Sequence, residues 1–274
     1  MTTNYDNYAV PIVNLPFFYI NGFNIFNDAT TPNTLLDVAA GQCRDSTNTY
    51  DMILGNFNGE TNQSAAANVT TVINAAVNGL NGLDTGTFAA STVYNVFVVS
   101  DPVSGNPSGA MISLGTPSVG PLMPFGYSAF RHVGYAVTDS SIHFLPAYVS
   151  GNNNARIFTY DAPQATSVTA GHATTYTAVD LSALVPLPVA NQNIPVSIAY
   201  DLLPGNAAGD VLKMQGANAT GDEVTITGQI TTVHVTGNAI VQAQLKSAKP
   251  EINYLVTNAS DTAVIKVAGF NYYI

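Results

Sequence analysis

In the second half of this 274-residue chain, short runs rich in Val, Ile, Thr and Tyr alternate with clusters of turn residues. The spacing is roughly 8 to 12 residues, too short for packed helices and typical of antiparallel strands. The runs are IFTYD, TTYTAVDL, PVSIAYDLL, DVLKMQ, VTITGQI, AIVQAQLK, INYLVTN and AVIKVAGFNYYI, separated by turns such as PGNAAGD, NATGD, TGN and NASD. The closing run alternates, with Val264, Lys266 and Ala268 opposing Ile265, Val267 and Gly269. This rhythm predicts a β-sandwich, jelly-roll-like, over residues 156–274.

The first half is also β-rich. Val93 to Val99 is a run of β-branched and aromatic residues, as in a strand covered on both faces. Strands are further expected near Phe23 to Asn27, Leu36 to Val38, Met52 to Leu54 and Met111 to Gly115, and at Arg131 to Asp139 with a returning strand to Val149. One short helix is predicted in NQSAAANVTTVINAAVNG, where Val69, Val72, Ile73, Ala76 and Val77 fall on one helical face. Asn62 or Ser64 is its cap and Gly79 its terminator. The stretch Gly151 to Ala155, with Gly-Asn-Asn-Asn as turn formers, marks a boundary. The expected organisation is therefore mainly β: an extended arm over 1–22, a β-rich domain with one helix over 23–151, and the sandwich over 156–274.

Composition narrows the function. Charged residues are 9% of the chain, and 7 Lys+Arg against 17 Asp+Glu give a net charge of -10. So few cations in an acidic field disfavour nucleic acid and anionic membrane surfaces. No apolar run reaches the roughly 18 residues of a membrane span. The opening MTTNYDNYAV lacks the basic segment and apolar block of a signal peptide. The single Cys43 allows no internal disulfide framework. Asn, Thr, Ser and Gly replace the charges, as expected of a rigid β protein that meets other chains.

Catalytic patterns are not met. The string nearest a nucleophile elbow, GYSAF, carries Phe130 in place of its second glycine, and HExxH, P-loop and dinucleotide fingerprints are missing. His132, His143, His172 and His234 are isolated, with His132 and His143 able to meet only across a hairpin. Asp37, Asp45 and Asp51 do not fit a calcium loop. For glycoside cleavage by paired carboxylates, the glutamates Glu60, Glu223 and Glu251 all fall in expected turns or loops. No catalytic, cofactor-binding or metal residue is assigned, and the chain is read as a non-enzyme.

Three strings carry a resemblance: IFNDATTPNTLLDVAAGQCRDSTNTYDMIL, GLDTGTFAASTVYNVFVVSDP and LMPFGYSAFRHVGYAVTD. In this order they resemble a module of virion structural proteins of tailed bacteriophages, of tail fibre, head fibre or decoration type. The family's turn is matched by Gly82 to Thr87, its strand tyrosine by Tyr94, and its Gly-Tyr-x-x-Phe-Arg-x-x-Gly pattern by Gly126, Tyr127, Phe130, Arg131 and Gly134. His132 stands where the family has a second basic residue, and Val93 where many members have Trp. The resemblance implies location in the virion, partners among capsid, neck or tail proteins, and a homotrimer. It implies no catalytic residues.

From the residues themselves, Gly126 and Gly134 are expected to serve turn and close-approach backbone. Arg131 is expected to pair with an acid, Asp45 or Asp139. Pro16, Phe17, Phe18 and Tyr19 form an aromatic segment suited to anchoring on a partner. Two other functions stay open: a host-receptor or glycan-binding module, with Gly151 to Ala155 or the Pro117 to Tyr127 loop as contacts, and a polysaccharide depolymerase.

Overall fold

The computed structural model describes residues 15–55, 71–104, 106–151, 154–188, 192–206, 208–218 and 222–274. Among these residues every regular element is a β-strand. The first half contains β1 (Ile20–Gly22), β2 (Ile25–Asn27), β3 (Leu35–Val38), β4 (Gly41–Arg44), β5 (Asp51–Leu54), β6 (Thr71–Asn78), β7 (Gly82–Leu83), β8 (Val93–Ser100), β9 (Gly109–Ser113), β10 (Ala129–Val137) and β11 (Ala147–Ser150). The second contains β12 (Ala155–Ala165), β13 (Thr177–Asp180), β14 (Ile194–Leu203), β15 (Val211–Gly216), β16 (Val224–Thr227), β17 (Val235–Lys246), β18 (Lys249–Val256) and β19 (Thr262–Tyr273).

The described part of the expected helix is strand β6, and its Asn62 and Ser64 caps lie outside the described residues. The correction has a packing cause. Leu36 of β3 pairs with Ile73 and Leu35 with Asn74, which fixes a period of two. Ile73 and Ala75 then point into the core, whereas Val72 and Val77, on the supposed apolar helix face, are exposed.

Strands β1, β4 and β5 form a small antiparallel sheet. The others form one long hydrogen-bonded sheet in the order β10-β8-β9-β7-β6-β3-β2-β11-β12-β19-β14-β17-β18-β15-β16, with β13 beside β18. The sheet folds back on itself. Tyr135 of β10 packs edge-on against Phe270 and Tyr272 of β19, with ring centroids 5.7 and 4.7 Å apart. Tyr94, Val96 and Val98 of β8 and Val133 and Val137 of β10 therefore share one core with Ile25, Leu36, Val149, Phe158, Phe270 and Tyr272. Each large apolar side chain so buried contributes about 1.5–3 kcal/mol.

The strands on either side of the expected boundary, β11 and β12, pair directly as neighbours, from Ala147–Tyr160 to Ser150–Ile157. The same core cluster continues across this boundary from Ile20 to Tyr272. The expected return strand after Asp139 is shorter than the sequence suggests. Only Ala147–Ser150 is extended, and it pairs with β2 and β12, leaving a single bridge between Thr138 and Phe144 beside β10. In the second half, β17 pairs with β14 from Val235 to Ala243 and then with β18 from Gln244 to Lys246, joining two sets of strands.

Candidate interaction surface

The Gly82 to Thr87 turn, Tyr127 and Phe130 meet at one loop, the segment 114–127. Strand β8 is buried on both faces, and Phe97, Val99 and Met111 form a second small core on its outer side. Leu80, Met123, Tyr127 and Phe130 cover that core, so the segment 114–127 lies over the β8–β9 pair. Asp84, from the Gly82 to Thr87 turn, holds the segment down. Its Oδ2 accepts hydrogen bonds from the Ser113 hydroxyl (2.7 Å) and the Leu122 amide (2.8 Å). Asn95 donates to the Gly115 carbonyl at 2.9 Å, and the Tyr127 hydroxyl donates to the Pro107 carbonyl at 2.7 Å. The Tyr94 hydroxyl accepts from the Ala89 amide at 2.7 Å, which fixes the turn from the other side.

The motif glycines do different work. Gly126 has φ +88° in the turn that ends the loop. Gly134 lies against β2 and β19: a Cβ there would sit 2.6 Å from Ile25 Cδ1 and 2.9 Å from the Tyr272 hydroxyl. Although the loop backbone is anchored, Val119, Leu122 and Phe125 point to solvent, and Phe125 is 103% exposed.

The second apolar surface is the aromatic segment Pro16 to Tyr19. Phe17 and Phe18 are exposed, while Tyr19 is half-buried and Ile20 is in the core. Residues 1–14 of the expected arm lie outside the described residues, and its last residues, 20–22, are β1, paired with β4. Phe18 takes a left-handed conformation (φ 61°), and its amide donates to Asn48 Oδ1 at 2.6 Å. The 45–50 turn that presents Asn48 is itself fixed, because Asp45 accepts from the Thr47, Thr49 and Tyr50 amides and Arg44 bridges Asp51 at 2.8 Å.

The Phe18 ring lies 6.0 Å from the Arg131 guanidinium. Arg131 is buried and makes no salt bridge among the described residues, contrary to the expected pair with Asp45 or Asp139. Both acids are used locally: Asp45 caps its own turn, and Asp139 accepts from the Ser141 and His143 amides. Burial pulls the Arg131 pKa below its ordinary value, with Cys43 and Asp45 acting against the shift only at longer range. Arg156 is also buried, and donates to the Gly22 and Phe23 carbonyls.

Sequence reasoning did not single out His132 as a core residue. Its ring packs against Phe97 (5.5 Å), Tyr135 (4.8 Å) and Tyr272 (6.3 Å). Neither ring nitrogen makes a well-formed hydrogen bond, and only the Gly134 backbone lies near enough to favour the charged ring. Burial pushes its pKa down to about 3, outweighing the favourable Gly134 backbone. His143 is instead solvent-accessible beside Asp139, so the two histidines do not meet as a pair. Cys43 is in the core of β4, where burial pushes the thiol up to about 12, so it is not an ionised nucleophile at neutral pH.

The carboxylates are used in structural contacts. Glu223 is held by Lys213 (2.8 Å) and by the Tyr176 hydroxyl. Glu251, expected in a loop, is buried in β18, and Glu60 lies outside the described residues. Asp261 shares a hydrogen bond with Asp210, and burial followed by that neighbour raises its pKa. Its oxygens accept from the Gly205 and Asn258 amides, both at 3.0 Å, which ties together the loops before β15 and β19. Among the described residues no three of His, Cys, Asp and Glu converge to hold a metal. In comparison with known proteins, no family model and no curated protein matches this chain.

Proposed function

We propose that the chain is a non-enzymatic structural component of a tailed-phage virion: a fibre, appendage or capsid decoration protein that docks on other virion proteins and assembles as a homo-oligomer, a trimer by resemblance. The observation that carries the reading is the pairing of exposed aromatics with immobilised backbone. Phe17 and Phe18 stand in solvent beside a turn locked by Asp45, Arg44 and Asn48. Aromatic side chains presented without much remaining conformational freedom are what an interface uses for its largest contributions. In this reading residues 156–274 form a jelly-roll-like sandwich, with β17 shared between its two sets of strands.

The test is localisation. Antibodies raised against the chain should decorate phage particles in negative-stain images, and Phe17→Ser/Phe18→Ser protein should fold normally but fail to join them. Particles free of label, or full incorporation of the double variant, would refute the reading. A host-glycan role has one feature of its own. Tyr148 and Phe26 stack on an exposed sheet face, with centroids 6.4 Å apart, and Asn24 donates to the Tyr148 hydroxyl at 2.9 Å. Binding to a glycan array that is lost on Tyr148→Ala would favour this role, and release of sugars from host capsule would favour the depolymerase.

A further inference from the structure

We propose that the face carrying Phe125, Leu122, Val119, Leu114 and Val103 is a contact between copies of this chain. The first four side chains come from the anchored segment 114–127, and Val103 from the adjoining turn. The two segments touch: the Tyr127 hydroxyl reaches Pro107, and a Cβ at Gly126 would lie 3.7 Å from both Asn106 Nδ2 and Asp101 Oδ2. Their exposures are 103% for Phe125, 63% for Leu122, 73% for Val119, 64% for Leu114 and 81% for Val103. Isolated apolar residues on a surface mean little, but a cluster on adjoining segments marks an interaction site.

Three observations select a second copy as the occupant. The first is charge. The chain is at -10, so two copies repel over most approaches, yet from Pro102 to Phe130 there is no Asp, Glu, Lys or Arg. The two acids that border it, Asp84 (half-buried) and Asp101 (buried), are held by hydrogen bonds to its own turns, so like-charged molecules meet here with little repulsion. The second is area. At the usual transfer coefficient these five side chains present on the order of 400 Å² of apolar surface. A standard interface removes about 800 Å² from each partner, a little over half of it apolar, so the cluster matches the apolar part of one. The third is preorganisation. Pro117, Pro121 and Pro124 restrict the backbone, and Asp84, Asn95 and Tyr127 pin it, so docking orders little. Self-association through one shared patch closes about a symmetry axis. The inference takes from the virion reading only that copies assemble, and it names the surface.

The experiment is sedimentation equilibrium of the full chain over a wide concentration range, for the wild type, Phe125→Asp, Leu122→Asp and the control Ile230→Asp. Ile230 is 60% exposed on a separate loop. All three substitutions alter exposed side chains, so circular dichroism and melting temperature should match the wild type. The wild type and Ile230→Asp should associate with concentration. Phe125→Asp and Leu122→Asp should each weaken association by about 100-fold, the loss expected at an interface centre. Association undiminished in both loop variants overturns the assigned surface but leaves the virion reading intact. A wild type that stays monomeric overturns the inference, as does a monomer that floats with neutral lipid vesicles through Phe125. Particle labelling tests the virion reading separately.

Discussion

His132 makes the acid sensitivity of this fold calculable. Its imidazole is buried, makes no well-formed hydrogen bond at either nitrogen and has its pKa pushed down by burial to about 3, against 6.5 for the free side chain. Between those values the unfolded chain binds a proton that the folded chain refuses, so this residue removes stability as pH falls below 6.5. The slope is about 1.36 kcal/mol per pH unit. The loss is therefore about 2 kcal/mol at pH 5 and about 3 kcal/mol at pH 4, large against a typical total of 5–15 kcal/mol. His132→Leu removes the titration and two unsatisfied polar atoms, a gain of about 1–3 kcal/mol, at the expense of edge contacts with Phe97 and Tyr135 worth about 1 kcal/mol. Urea unfolding of both proteins at pH 7, 5 and 4 measures the difference, and carboxylate titrations common to both cancel. Near pH 7 the variant should equal or slightly exceed the wild type, and its advantage should widen by about 2 kcal/mol by pH 5. A difference that stays constant from pH 7 to 4 would mean that His132 takes up its proton as readily in the folded chain as in the unfolded one.

Three other substitutions test how the 114–127 loop and its neighbouring glycines are held. Asp84→Ala should cost about 1 kcal/mol and abolish protection of the Leu122 amide in hydrogen exchange, since Asp84 is that amide's acceptor; unchanged protection would mean that the loop is held by other contacts. Gly134→Ala should destabilise by about 1–3 kcal/mol through the collision with Ile25 and Tyr272. Gly126→Ala has room for its Cβ and should cost about 1–2 kcal/mol from its positive φ alone. Asn should therefore recover part of the loss at position 126 and none at 134, as read by thermal unfolding.

The strands that announce themselves in the sequence are those whose local pattern agrees with their surroundings. Val93 to Val99 reads as a strand covered on both faces, and β8 is one, between β10 and β9 with a core on either side. Thr71–Asn78 satisfies both periods, and only its pairing with distant β3 decides. The β17–β18 hairpin has no Asn-Gly or Asp-Gly signal. Ser247 and Ala248 adopt φ 52° and 62° because the flanking strands demand it, a conformation their side chains disfavour. At the candidate surface, the Pro/Gly composition marks Pro117 to Tyr127 as a loop. That Met123 turns inward while Leu122 and Phe125 turn outward depends on the small core beneath, which no local pattern encodes. The fate of Arg131 is hidden for the same reason, because Asp45 and Asp139 are committed to their own turns.

The position of β19 has a consequence for biosynthesis. In the order of the long sheet it lies between β12 and β14, and it is the strand through which the β10-to-β12 side joins the β14-to-β16 side. Until the ribosome has supplied Thr262–Tyr273, the nascent chain has two separate sheet fragments, each with an open edge where this strand belongs. A polypeptide cut short before that point cannot close the gap, and its bare edges invite strands from other molecules. The arrangement makes synthesis of Thr262–Tyr273 a condition for joining the two sheet fragments, so that products lacking this strand are left for proteolysis or aggregation.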